Sequence, residues 1–217
     1  MAARVLLGVM AMISLVLAPL AVTPATAQAP NPHWGQSPYY PECSEGPCRI
    51  VLIADKTGSD AFAGQIKRWI VWMNYVRVNY NLNFPAFAYI GPEEGLQPDP
   101  SCSTAPGFIS MCISDQIVNA DCNTTDPVQV RCSKFTIQTD IGHILEVRST
   151  TRPRELDAVD VWNMVCAQLG HAIGLPTRDN DDSCMDNAIE LGTGVEKYYV
   201  TDDWLFLIDA HNHGAID

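Results

Sequence analysis

One histidine in this chain stands where helical spacing, a glycine and a methionine surround it. His171 lies in Val165-Cys-Ala-Gln-Leu-Gly-His-Ala-Ile-Gly-Leu-Pro-Thr177, and Asp182-Ser-Cys-Met-Asp186 follows closely. An imidazole can ligate a metal or move a proton near neutral pH. Catalytic zinc, however, needs three protein ligands and an open position, so one imidazole alone holds it too weakly. The other histidines are scattered: His33 in a Pro-rich stretch, His143 before a short strand, His211 and His213 near the C-terminus. Taken alone, His171 and Met185 read as core residues. Asp179-Asn-Asp-Asp182 lacks the glycine and distal glutamate of an EF-hand and reads as a solvated acidic loop. There is no phosphate-cradling glycine loop and no G-x-S-x-G elbow. Asn123-Thr-Thr125 fits the glycosylation pattern.

The cysteines speak to the compartment. Eight of them (Cys43, Cys48, Cys102, Cys112, Cys122, Cys132, Cys166 and Cys184) make an even number, which in an oxidising compartment reads as up to four disulfides. Pairing sequence neighbours suggests Cys43–Cys48, Cys102–Cys112, Cys122–Cys132 and Cys166–Cys184, although spacing leaves the connectivity open. No C-x-x-C occurs, which argues against a zinc cluster. The N-terminus agrees with export. Arg4, an apolar run from Val5 to Ala18, Pro19 and then Ala25-Thr26-Ala27 predict a secretory signal peptide over residues 1–27. Net charge is −12 and the basic residues form no cluster, so a nucleic-acid partner is not expected.

The elements that must position these residues follow from periodicity. Residues 28–48 predict an extended Pro-rich lead-in, and residues 49–217 a single domain. Arg49–Ala54 predicts a buried strand and Phe87–Ile90 a second one. Between them, Phe62, Ile66, Trp69, Ile70, Met73, Val76 and Tyr80 recur at helical spacing from Asp60 to about Tyr80, with Ser59 or Asp60 as cap. Residues 91–140 look loop-rich, with short strands at 108–111, 128–130 and 135–137, and another strand at 144–147. Thr151 and Pro153 predict the start of a second long helix, with Leu156, Val159, Trp162, Val165, Cys166, Leu169 and Ala172 on its apolar stripe and Gly174 at its end. A last helix is expected from about Asp202, with acidic residues at its positive end.

The stretch around His171 resembles the zinc helix and Met-turn of the metzincin metallopeptidases, in particular the small secreted bacterial matrixin-like type. That family carries H-E-x-x-H-x-x-G-x-x-H and then a methionine turn. A helix sets the first two histidines on one face, the glycine bends the chain, and the third histidine closes the site. The glutamate is the base that activates zinc-bound water. Here His171 falls on the second histidine, Gly174 on the glycine and Met185 on the Met-turn. Ala167, Gln168 and Thr177 stand where the first histidine, the glutamate and the third histidine belong. Alanine and threonine are not useful zinc ligands, and glutamine cannot accept a proton near neutral pH. Cys166 and Cys184 match a cysteine pair of this group, and Cys102 to Cys112 resembles its disulfide-bounded strand. Asp203-Trp204, Leu207 and His213 resemble its C-terminal helix.

The resemblance implies an α+β, zincin-like fold: a twisted mixed sheet with two long helices packed on it, a Met-turn and a C-terminal helix. It implies a secreted pseudopeptidase that holds no zinc and acts by binding a protein or peptide, along an edge strand as active relatives hold substrate. Such a protein is expected to be a monomer, free of the membrane once the signal peptide is removed. Two other functions compete with it. One is a working zinc metalloendopeptidase using His171 with non-standard ligands, drawn from Asp179, His211 or His213. The other is a purely structural secreted domain.

Overall fold

The computed structural model describes residues 33–34, 50–82, 84–125, 130–138, 143–179, 182–186 and 192–211. The expected signal peptide and the Cys43–Cys48 pair lie outside the described residues.

A six-stranded mixed sheet forms one layer. Its strands are β1 (His33–Trp34), β2 (Ile50–Asp55), β3 (Ala86–Ile90), β4 (Phe108–Ile113), β5 (Arg131–Gln138) and β6 (His143–Thr151). The path β1-β6-β4-β2-β3 is parallel throughout, and β5 alone runs antiparallel, paired to β6. Among the described residues there are four α-helices: α1 (Asp60–Asn79), α2 (Asp115–Asp121), α3 (Ala158–Ala172) and α4 (Thr201–His211). The class is α+β, as expected. None of the helices among the described residues is long and apolar enough to cross a membrane.

Helix α1 forms where its stripe predicted. Ser59 caps it by accepting from the Phe62 amide at 3.5 Å, and Phe62, Ile66, Trp69, Ile70 and Met73 are buried. It lies over β2 and β3, α3 lies over β5 and β6, and the two helices pack on each other. Trp69 and Trp162 are fully buried between these elements. Their indole N–H groups donate to Tyr199 Oη at 2.9 Å and to the Lys197 carbonyl at 2.8 Å, so neither ring buries an unmet donor. The pairs Cys102–Cys112, Cys122–Cys132 and Cys166–Cys184 are disulfides.

The structure corrects the local reading in two places. Thr151 and Pro153 do not open the second long helix. Ser149, Thr150 and Thr151 instead pair with β4 on one side and β5 on the other, extending β6 to Thr151. The helix starts at Ala158, where the Asp157 carboxylate accepts from the amides of Val159 at 2.9 Å and Asp160 at 2.8 Å. Second, residues expected to be loop form α2, capped by Ser114. Seven residues are too few to display a helical stripe. Two residues of the Pro-rich lead-in join the sheet, where His33–Trp34 pair in parallel with His143–Ile144. Trp34 is buried and donates its indole N–H to the Ala172 carbonyl at 2.8 Å.

Candidate functional site

Helix α3 is buried along almost its whole length, and the site lies at its C-terminal end. Gly174 turns the chain with φ +98°, a conformation that costs glycine little. The Gly174 amide returns to the His171 carbonyl at 2.8 Å and the Leu175 amide to the Gly170 carbonyl at 3.0 Å. That is a Schellman closure, and it sends the next residues back along the helix. Arg178 then pairs with the turn after Met185, its amide donating to the Met185 carbonyl at 2.9 Å.

This return brings Thr177 and His171 to one cleft of about 290 Å³. Its opposite wall is β5, which contributes Arg131, Ser133 and Phe135, with the Cys122–Cys132 disulfide beside them. Residues two apart on a strand share a face, so this alternation turns one face of β5 toward the end of α3. Among the described residues β5 pairs only with β6, which leaves its other edge without a strand.

The electrostatics of the cleft centre on Arg131. One of its Nη atoms donates to the Asp186 carbonyl at 3.0 Å, which ties β5 to the methionine turn. Burial holds its pKa down at about 10, against the pull of the Asp186 carboxylate, so it remains a cation at neutral pH. Lys197 Nζ lies 3.5 Å from the same carboxylate. His171 is held down at about 4, first by burial and then by the charge of Arg131, so it is neutral at physiological pH. Its Nδ1 lies 3.0 Å from the Leu175 carbonyl. A carbonyl only accepts, so the hydrogen bond assigns the proton to Nδ1 and leaves Nε2 as the acceptor.

The remaining positions singled out in the sequence fall as follows. Ala167 and Gln168 are buried on α3, one turn and three residues before His171. The Gln168 amide is only 1 % exposed, and neither its Oε1 nor its Nε2 has a hydrogen-bond partner among the described residues. Met185 is fully buried against α3. An added Cβ at Gly170 would lie 2.3 Å from its Sδ, so glycine is what lets the thioether approach the helix. Cys166–Cys184 staples α3 to this turn. Asp203 of α4 completes the fixture: its buried carboxylate accepts from Ser183 Oγ at 2.6 Å, Arg178 Nε at 2.7 Å and the Val200 amide at 3.0 Å. Asp179 is exposed. The side chains of His33, His143 and His211, and all of His213, lie outside the described residues.

Sequence reasoning missed Arg131. The available signal was its place in Arg131-x-Ser133-x-Phe135 beside Cys132, but alternation does not say which face meets α3. The residues present do not fit zinc. His171 offers one lone pair, Ala167 none and Thr177 only a neutral hydroxyl, and a guanidinium beside them repels a dication. Among the described residues no three His, Cys, Asp or Glu side chains converge where they could hold a metal ion. No protein-family model matches the chain, and no curated protein matches it.

Proposed function

We propose that the chain is a secreted, matrixin-like pseudopeptidase that binds an extended protein or peptide segment and does not hydrolyse it. The observation that carries this reading is the meeting of His171, Thr177 and the cation Arg131 in one cleft walled by β5, a strand whose second edge pairs with no other strand among the described residues. An extended segment can add to such an edge through main-chain hydrogen bonds and drop alternate side chains into the cleft. The His171, Gly174 and Met185 positions, the Cys166–Cys184 staple and the C-terminal helix α4 support the metzincin-like frame. The disulfides support export. The enzyme reading is the weaker one, because Gln168 cannot serve as the base and Asp179 is exposed.

The test is to rebuild what is missing. The changes Ala167→His, Gln168→Glu and Thr177→His, combined with Arg131→Gln, supply three imidazoles and a base and remove the opposing charge. Zinc bound only by the native state should raise Tm in proportion to the logarithm of its concentration. The natural sequence should show no such shift near micromolar zinc. Natural protein that purifies with stoichiometric zinc overturns the pseudopeptidase reading. A rebuilt protein that folds and ignores zinc overturns the metzincin-like frame.

A further inference from the structure

We propose that two copies of this chain pair about a two-fold axis on the apolar surface shared by α1 and α4, with the Tyr75 ring of each copy seated over the α1–α4 groove of the other.

The surface begins with the spacing of residues on α1. Its buried stripe runs Phe62, Ile66, Trp69, Ile70 and Met73. Val71, Tyr75 and Val78 recur at four- and three-residue steps on the opposite face, where a helix laid on a sheet ordinarily carries polar residues. All three are exposed, as are Tyr80 just beyond the helix and Leu205 on α4, each between 59 and 70 %. Beside this face, between the two helices, lies a groove of about 320 Å³ lined by Trp72, Val76, Tyr80, Leu82, Trp204 and Ile208. Trp72 and Trp204 meet edge to face at 5.6 Å, and Trp72 also packs on Trp162 at 5.8 Å and Tyr199 at 5.2 Å. Rings held by one another in this way give the groove its shape before anything enters it. A cavity of about 150 Å³ admits a benzene ring, so this one has room for an aromatic side chain.

Area and self-complementarity identify the occupant as a second copy. At these exposures each tyrosine offers about 150 Å² and each valine or leucine about 100 Å². Together they leave about 600 Å² per copy in water, the upper end of the largest patch a monomer carries. A symmetric pair covers about 1,200 Å², which is where stable interfaces begin. A two-fold contact needs the same surface to carry both the projection and the recess. Here the exposed Tyr75 ring stands one helical turn from Trp72, a wall of the groove that takes it. Charge does not oppose the contact. A chain of net charge −12 repels its own copies, but neither the exposed residues of this face nor the lining of the groove includes a charged side chain.

The matrixin-like resemblance implies a monomer, and the exposed face of α1 argues for a pair. Helix α1 lies over β2 and β3, and β4 and β6 separate these strands from β5. Pairing therefore lies away from the β5 edge and does not depend on the peptide-binding reading, which the zinc experiment above tests.

The experiment is sedimentation of the full-length exported protein, with EDTA present, from about 1 to about 200 μM; an interface of this size should give a micromolar Kd. Tyr75→Glu and Leu205→Glu change exposed positions and should each raise that Kd about tenfold or more, because a carboxylate would be covered without a partner. Tyr75→Phe keeps the ring and should stay within about twofold of the natural protein. Melts recorded below the Kd should be the same for all of them, since neither residue belongs to the core. A natural protein that stays monomeric throughout overturns the proposal, as does pairing that either glutamate variant leaves unchanged. A monomer whose Tm falls in Tyr75→Glu covers this face with its own chain, which overturns it too. A different protein bound to this face of a chain that stays monomeric has the same consequence.

Discussion

Two sides of α3 are built differently. On the side of Trp162, Asn163 and Cys166, each polar group meets a partner in the segment that follows the methionine turn. The Asn163 amide donates to the Val195 carbonyl at 2.9 Å and accepts from the Lys197 amide at 2.8 Å. Tyr199 Oη donates to the Cys166 carbonyl at 2.9 Å. On the side of Met164, Gln168 and His171, an amide is buried without a partner among the described residues, and a cleft opens beside His171. Buried polar groups in folded proteins are nearly always paired, so the first face is built for stability. The second carries a cost that packing does not repay. Such local inconsistency is expected where a surface is kept for binding.

Perturbing the two faces should give effects of different size and sign. The largest is expected at Trp162, where Trp162→Ala leaves a cavity and an unmet Lys197 carbonyl; thermal or urea unfolding should show a loss of about 3–5 kcal/mol. A near-natural melt would show that the stable face does not depend on this ring. Next comes a pair with opposite signs. Asn163→Leu strands the Val195 carbonyl and the Lys197 amide and should cost about 1–3 kcal/mol, whereas Gln168→Met removes an unsatisfied amide and should stabilise by a similar amount. Equal destabilisation by both variants would erase the distinction between the faces.

The smallest effect concerns protons. His171 should titrate near 4 by NMR, and Arg131→Gln should raise that value without restoring it fully, because burial is the larger cause. The sign follows from linkage. Between the ordinary histidine value of about 6.5 and the folded value, the unfolded chain binds more protons. The contribution of this residue to stability is therefore complete above about pH 6.5 and is lost as pH falls toward the folded value of about 4. A His171 that titrates at its ordinary value would place it in solvent, away from the arginine.

Much of this molecule is legible from neighbours in the chain. The stripe of α1, its Ser59 cap, the apolar cores of β2, β3 and β4, the end of α3 at Gly174 and three disulfides between sequence neighbours all rest on contacts within a few turns or a short loop. Periodicity, capping and turn chemistry are local physics, and a sequence displays them directly. The start of α3 shows the limit. Thr151-Arg-Pro153 and Asp157 are both sound helix openings, and β6 takes the first because its Thr150 and Thr151 are claimed by strands from elsewhere in the chain.

The site divides along the same line. His171, Gly174, Thr177 and Met185 share one short segment of sequence, so the lack of zinc ligands beside them is readable without a structure. Arg131 lies forty residues before His171. Only the antiparallel pairing of β5 with β6, and the packing of that ribbon on α3, turn its guanidinium toward the imidazole. A strand shifted by one residue would turn Arg131, Ser133 and Phe135 to the other face, because side chains alternate between faces. Which chemistry the cleft lacks is thus a matter of local sequence. Which charge it holds is decided by strand register, which depends on pairing between distant parts of the chain.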